Sequence, residues 1–210
     1  MTEKVPEKVK NKRRTFFRRL IGAIIFFNII ILFIILLIWL ILHPNKPRFT
    51  LQDATIYSFN VSSPSILNSN IQVTIISRNP NERIGIYYDR LDVYATYRNQ
   101  QITLPTELPP TYQGHKDSNV WSPFLMGPTI PVAPYISVLL KQDQSAGMLL
   151  VNVKIDGRVR WKVGTWISGR YHLHVRCPAY ITFGNQGSTG GNPFDYPIKY
   201  QLVQSCRTSI

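Results

Sequence analysis

The chain has 210 residues, 44% apolar and 17% charged, and its 24 Lys and Arg against 11 Asp and Glu leave a formal net charge of +13. The apolar share is core-forming, which weighs against stress protection by a purely solvating chain. So basic a balance would suggest nucleic acid as the partner of a soluble protein, but the placement of the charge excludes that reading in favour of a membrane. Residues 1–19 form a basic tail with Lys4, Lys8, Lys10, Lys12, Arg13, Arg14, Arg18 and Arg19 against Glu3 and Glu7. Residues 20–42 follow without a charge and with one amide, Asn28. At about 1.5 Å per residue this run makes a helix roughly 34 Å long, enough for a hydrocarbon core of about 30 Å. A cleavable signal has an apolar stretch of only about 7–15 residues. A buried helix of a soluble domain would show a polar face at a period of 3.6, whereas every position from Ile29 to Leu42 is apolar. The run is therefore expected to be a signal-anchor helix that crosses a membrane once.

Lys and Arg beside a span stay in the cytosol, and only Lys46 and Arg48 follow the run closely. The amino terminus is expected inside and the remainder outside, a type II arrangement, with Trp39 near the far interface. The cluster Lys10, Lys12, Arg13, Arg14, Arg18 and Arg19 then meets anionic lipid of the inner leaflet, at about 1 kcal/mol per basic residue. Asn28 could bond to a second span, which leaves the oligomeric state open.

Residues 43–48 read as a short Pro-bearing linker and residues 49–210 as an extracytoplasmic domain. Runs rich in Val, Ile, Thr and Tyr predict strands at Phe49–Phe59, Asn70–Ser77, Ile84–Tyr97 with a break near Asp89-Arg90, Val120–Met126, Leu149–Ile155, Val159–Val163, Tyr171–Cys177 and Ile198–Val203. Ala133–Ser145 alone suits a short helix. Some eight strands in about 160 residues predict one β-sandwich. Leu149–Ile155 and Val159–Val163 each alternate, and Asp156-Gly157 between them reads as a hairpin turn. A three-residue loop, Ile155-Asp156-Gly157, would pair Val153 with Val159 and Val151 with Trp161, with Gly157 left-handed. The same alternation aligns Arg158, Arg160 and Lys162 about 7 Å apart on the outer face. Such a stripe is a solvated face or a docking site for an anionic partner, such as acidic wall polysaccharide or lipid headgroups.

Cys177 and Cys206 both fall in the oxidising compartment and predict one disulfide. Asn60-Val61-Ser62 is a sequon, which makes Asn60 a candidate for glycosylation in that compartment and leaves open whether it carries sugar. No cofactor or metal is expected. His172 and His174 share a strand face, yet no nearby Cys, Asp or Glu completes a metal set. Gly184–Gly191 lacks the Lys and Ser or Thr of a phosphate loop. No catalytic residues stand out, and the chain is expected not to be an enzyme.

The most specific stretch runs from Arg78 to Asp89, with Asn79-Pro80-Asn81 followed by Ile84-Gly85-Ile86-Tyr87-Tyr88. Chemically Asn79, Pro80 and Asn81 form a structural turn, with Pro setting φ and the amides capping backbone groups. The stretch resembles the signature of the plant proteins related to the non-race-specific disease resistance and harpin-induced proteins (NHL type), which carry a group-two late embryogenesis abundant, or water-stress and hypersensitive-response, domain. Pro47–Leu51, Leu108–Gly114, Val153–Gly164, Cys177-Pro178 and Lys199–Cys206 extend the likeness over nearly the whole chain. The resemblance implies an immunoglobulin- or fibronectin III-like β-sandwich on a plasma-membrane protein of plant defence, with some relatives at plasmodesmata. The carboxy-terminal lipid anchor of some relatives is not expected, because Lys199 and Arg207 interrupt any apolar tail. The expected function is non-catalytic binding or tethering, to cell-wall polysaccharide or a membrane-protein partner. The alternative is a lipid-binding or lipid-sensing module that holds an apolar ligand between its sheets, with Tyr57, Phe59, Tyr87, Tyr88 and Tyr94 as possible lining.

Overall fold

The computed structural model describes residues 7–41, 44–62, 65–182 and 198–210. They fall in two compact units, Met1–His43 and Pro44–Ile210. In the first, α1 runs from Glu7 to Ile41, so the basic residues from Lys8 onward continue directly into the apolar helix. Its stretch Phe16–Leu36 has a mean hydropathy of 2.7, is exposed throughout, and is long and apolar enough to cross a membrane. Asn28 donates its amide to the Ile24 carbonyl at 2.8 Å, so one of its donors is satisfied within the helix. Leu42, the last residue of the expected span, lies outside the described residues.

The second unit contains β1 (Arg48–Ser62), β2 (Ile66–Arg78), β3 (Ile84–Tyr97), β4 (Gln100–Gln101), β5 (Thr106–Leu108), β6 (Thr111–Gln113), β7 (Ser118–Trp121), β8 (Phe124–Pro131), α2 (Pro134–Ser145), β9 (Met148–Val163), β10 (Trp166–Ile167), β11 (Tyr171–Thr182), β12 (Ile198–Ser205) and β13 (Arg207–Ser209). One sheet has the order β12-β1-β2-β7 with β8 also on β2. The other has the order β13-β11-β9-β3-β4, with β10 on β9 and β5 and β6 on β3. Alternate residues of each long strand, among them Leu51, Ile56, Val73, Val93, Ile155 and Val175, meet in one buried core. The product is a two-sheet β-sandwich. The predicted helix starts at Ala133, whose extended backbone caps it, with Pro134 in the first turn. Pro suits that place because its missing N–H would be unpaired there anyway.

Two predicted strands divide differently. Val120–Met126 is interrupted at Ser122-Pro123, which separates β7 from β8; Pro cannot donate to a ladder. The break expected at Asp89-Arg90 is a register shift between Tyr88 and Arg90, and β3 continues through it.

The hairpin at Asp156-Gly157 does not exist. β9 is one 16-residue strand through both residues, with Gly157 opposite Leu91 on β3 and Leu173 on β11. Val153 pairs with Ala95 and Cys177, and Val159 with Tyr88 and Tyr171. The physical reason is phase: Val151, Val153, Ile155, Gly157, Val159 and Trp161 keep one unbroken period of two, so the strand has no need to reverse. Val153 and Val159 do share the buried face. Glycine is required at 157 for closeness, since a Cβ there would collide with the Arg90 carbonyl oxygen and reach 2.7 Å from the Leu91 Cδ2. Gly157→Ala should therefore destabilise the sandwich by about 1–3 kcal/mol, the usual cost of overpacking. Urea unfolding followed by tryptophan fluorescence measures it, and an unchanged midpoint would refute the close-approach account.

The chain switches sheets at Cys206, between β12 and β13. A disulfide joins it there to Cys177 of β11, with the Cα atoms 4.3 Å apart.

Candidate functional site

Asn79 and Asn81 are buried, and their amides form a clamp. Asn79 donates from Nδ2 to the carbonyls of Ile84 at 2.7 Å and Gly114 at 2.8 Å. Its Oδ1 accepts the Asn81 backbone N–H at 3.0 Å and the Asn81 Nδ2 at 2.9 Å. All four hydrogen-bonding positions of this amide are filled. Asn81 in turn accepts the Asn45 N–H and donates to the Asn45 carbonyl, both at 2.8 Å. The motif thus ties three segments together: the β2–β3 turn, the stretch between β6 and β7, and the residues that enter β1. Part of the short linker expected at residues 43–48 takes part in this arrangement. Pro47 is buried, β1 already begins at Arg48, and Asn45 is held by Asn81; His43 lies outside the described residues.

Behind the turn lies a second buried polar group. The Tyr88 hydroxyl shares a 2.8 Å hydrogen bond with Ser77 and donates to Gln113 Oε1 at 2.8 Å. Gln113 Nε2 donates to the carbonyls of Ser77 and Asp117. Burial pushes the Tyr88 phenol up, with the Ser77 bond acting in the opposite direction, so it stays neutral as a donor.

On the outer face of the eight-stranded sheet, Arg158, Arg160 and Lys162 do align along β9, but their environments differ. Arg160 donates to both carboxylate oxygens of Asp89 at 2.6–3.0 Å, and this bond raises its pKa above the usual value. Arg170 reaches the same carboxylate at 3.4 Å. Lys162 Nζ stands 5.1 Å from the Tyr112 ring centre and 5.8 Å from that of Tyr87. Arg158 is exposed, opposite Arg90 on one side and His172 on the other. Asp89, at the β3 bulge, thus neutralises the middle of the stripe and leaves Arg158 and Lys162 to present charge. Further along the face Tyr94 donates to Asp156 at 2.6 Å, and burial together with this bond pushes its phenol up to about 12.

The remaining candidates separate. His172 and His174 stack with ring centres 6.4 Å apart, and His174 Nδ1 lies 2.7 Å from Asp156 Oδ1. Among the described residues no three His, Cys, Asp or Glu gather as a metal set. Asn60 is exposed on β1. Of the aromatics named as possible ligand lining, Phe59 and Tyr88 are in the core and Tyr57 is exposed. The glycine-rich segment 184–191 lies outside the described residues. Lys10, Lys12, Arg13, Arg14, Arg18 and Arg19 all lie on α1.

The fold and the clamp define a class. The family model described as "Late embryogenesis abundant protein" matches residues 74–178, from β2 through the motif to Cys177-Pro178. NDR1/HIN1-like protein 1 of Arabidopsis thaliana is 58% identical over 202 residues, covering 95% of this chain and 96% of that protein. NDR1/HIN1-like protein 12 of the same plant is 56% identical, with 91% of each covered, and NDR1/HIN1-like protein 26 is 48% identical, with 73% of each covered. The chain belongs to the NDR1/HIN1-like family, whose defence- and stress-related character it shares.

Proposed function

We propose that this is a single-pass plasma-membrane protein with a cytosolic amino terminus, whose sandwich works outside the cell as a non-catalytic binding module in defence, tethering the membrane to acidic wall polysaccharide. The charge asymmetry about the apolar run supports the orientation. The observation that carries the partner class is the outer face of β9, where Arg158 is exposed and Lys162 stands over Tyr87 and Tyr112. Ammonium and guanidinium groups attract uronate carboxylates, and the neighbouring phenol rings offer a surface to the C–H faces of sugar rings. Localisation to plasmodesmata and glycosylation at Asn60 belong to the same proposal and follow the family likeness and the exposed sequon.

Sealed right-side-out plasma-membrane vesicles that carry the full chain test this with polygalacturonate added from outside. The polymer should be retained, less so as salt rises, and Arg158→Glu with Lys162→Glu should reduce retention about tenfold or more. Retention unchanged by the double substitution would overturn the assignment of the face. Binding only after the vesicles are opened would overturn the orientation.

A further inference from the structure

Beside the Asn79-Pro80-Asn81 turn is an open cavity of about 450 Å³, lined by Asn45, Lys46, Arg48, Arg78, Pro80 and Lys116. Four of these six residues are basic and none is acidic. Arg48 and Arg78 stand directly opposite each other on β1 and β2, an arrangement of like charges that costs stability. Neither is in an ion pair with any described residue, whereas Asp53 on the same strand holds Lys199 at 3.4 Å. Lys116 meets Glu82 at 3.2 Å, with both side chains mostly in solvent, and such a pair is easily exchanged. Lys116 also has a φ of +55°, a conformation uncommon outside glycine, and its N–H is held by the Asn81 carbonyl. The lining is preformed, because Asn81 fixes Asn45 and the two arginines sit on paired strands.

A positively charged, polar cavity suits an anion that fills it with oxygen acceptors, and the planar guanidinium fork fits phosphate. The chain itself says where such an anion would come from. Lys46 is five residues past Ile41, the end of α1, a tether of at most about 18 Å. We infer that this cavity binds the phosphate-bearing headgroup of an anionic phospholipid in the leaflet from which the chain emerges. Two arginines that repel each other in the empty site would be neutralised in the occupied one, so the site exchanges stability of the free sandwich for attachment at the membrane surface. The inference rests on the membrane-spanning reading of α1, and not on which side of the membrane the sandwich lies nor on the wall partner.

The test uses the full chain in vesicles of phosphatidylcholine with or without phosphatidic acid, with tryptophan fluorescence following thermal unfolding of the sandwich. Binding to the native state alone raises the midpoint, whereas lipid bound by the basic tail, which is not part of the sandwich, leaves it unmoved. Phosphatidic acid at about a hundred times its dissociation constant should raise the midpoint by about 5–10 °C. The variant Arg48→Gln with Arg78→Gln should be more stable than the natural chain in phosphatidylcholine alone and should gain nothing from phosphatidic acid. The variant Arg158→Gln with Lys162→Gln should keep the full gain. No shift in the natural chain, or an equal shift in the Arg48/Arg78 variant, would overturn the inference. An equal shift from inorganic phosphate over phosphatidylcholine would assign the cavity to free phosphate instead of the headgroup. Flotation of the same vesicles after a high-salt wash reads the anchor separately, and a chain left behind overturns the membrane reading and the inference that rests on it.

Discussion

Replacing Asn79 with Ala should lower the stability of the sandwich by about 3–5 kcal/mol, because each buried polar group left without a partner costs about 1–3 kcal/mol. The substitution strands the Ile84 and Gly114 carbonyls and the Asn81 N–H, all of which meet this one amide. It also removes the Oδ1 that aims the Asn81 side chain at Asn45. Asn79→Asp should be at least as damaging despite its identical shape, since a carboxylate oxygen would then face two carbonyl oxygens. Pro80→Ala provides the contrast: the ring donates no hydrogen bond, so its loss should cost less than about 1 kcal/mol through chain entropy. Urea unfolding of the three variants decides the matter. An Asn79→Ala variant within about 1 kcal/mol of the natural chain would show that water replaces the amide and that the clamp is not what holds the turn.

Loss of the Cys177–Cys206 bond should lower stability by about 3–4 kcal/mol, given their sequence separation of 29, in the chain-entropy model. The effect is expected to be large because of where the bond lies. Cys177 is fully buried, and Cys206 sits where the chain leaves the five-stranded sheet for β13 on the other. The Cys206 N–H to Phe49 carbonyl bond at 2.9 Å is a local tie that remains after reduction. Comparing oxidised and reduced chain, with Cys177→Ala and Cys206→Ala together as the unreducible control, reads the effect in urea. Equal midpoints with and without reductant would refute it.

How legible the fold was depends on the range of the interactions involved. The alternation in β1, β2, β3 and β9 could be read because a strand with one dry face carries its pattern locally, residue by residue. β4, β5, β6, β10 and β13, of two or three residues each, have no period to read; pairing with β3, β9 or β11 makes them strands. Asp156-Gly157 misled for a definite reason. An Asp-Gly pair between apolar runs signals a hairpin, but this glycine answers to the Arg90 backbone, brought close by the β3 bulge. The basic stripe was legible as an alignment along β9 but not as an electrostatic arrangement, because Asp89, which engages its middle member, comes from another strand.

Local order along the chain was enough to determine the apolar helix, its basic flank and the strand-rich composition of the sandwich, since each depends on neighbours in sequence; the cysteine pair followed from the count, because two cysteines in one oxidising compartment allow one bond. Tertiary structure alone decided that β9 runs straight, that Asn79 and Asn81 clamp the entering chain to two other segments, and that Lys46, Arg48, Arg78 and Lys116 share one cavity. Those features are made by groups far apart in the chain that meet only when two sheets close on a common core. There burial leaves no water to satisfy a stray amide, and proximity decides which charges cancel and which remain to be met by a partner.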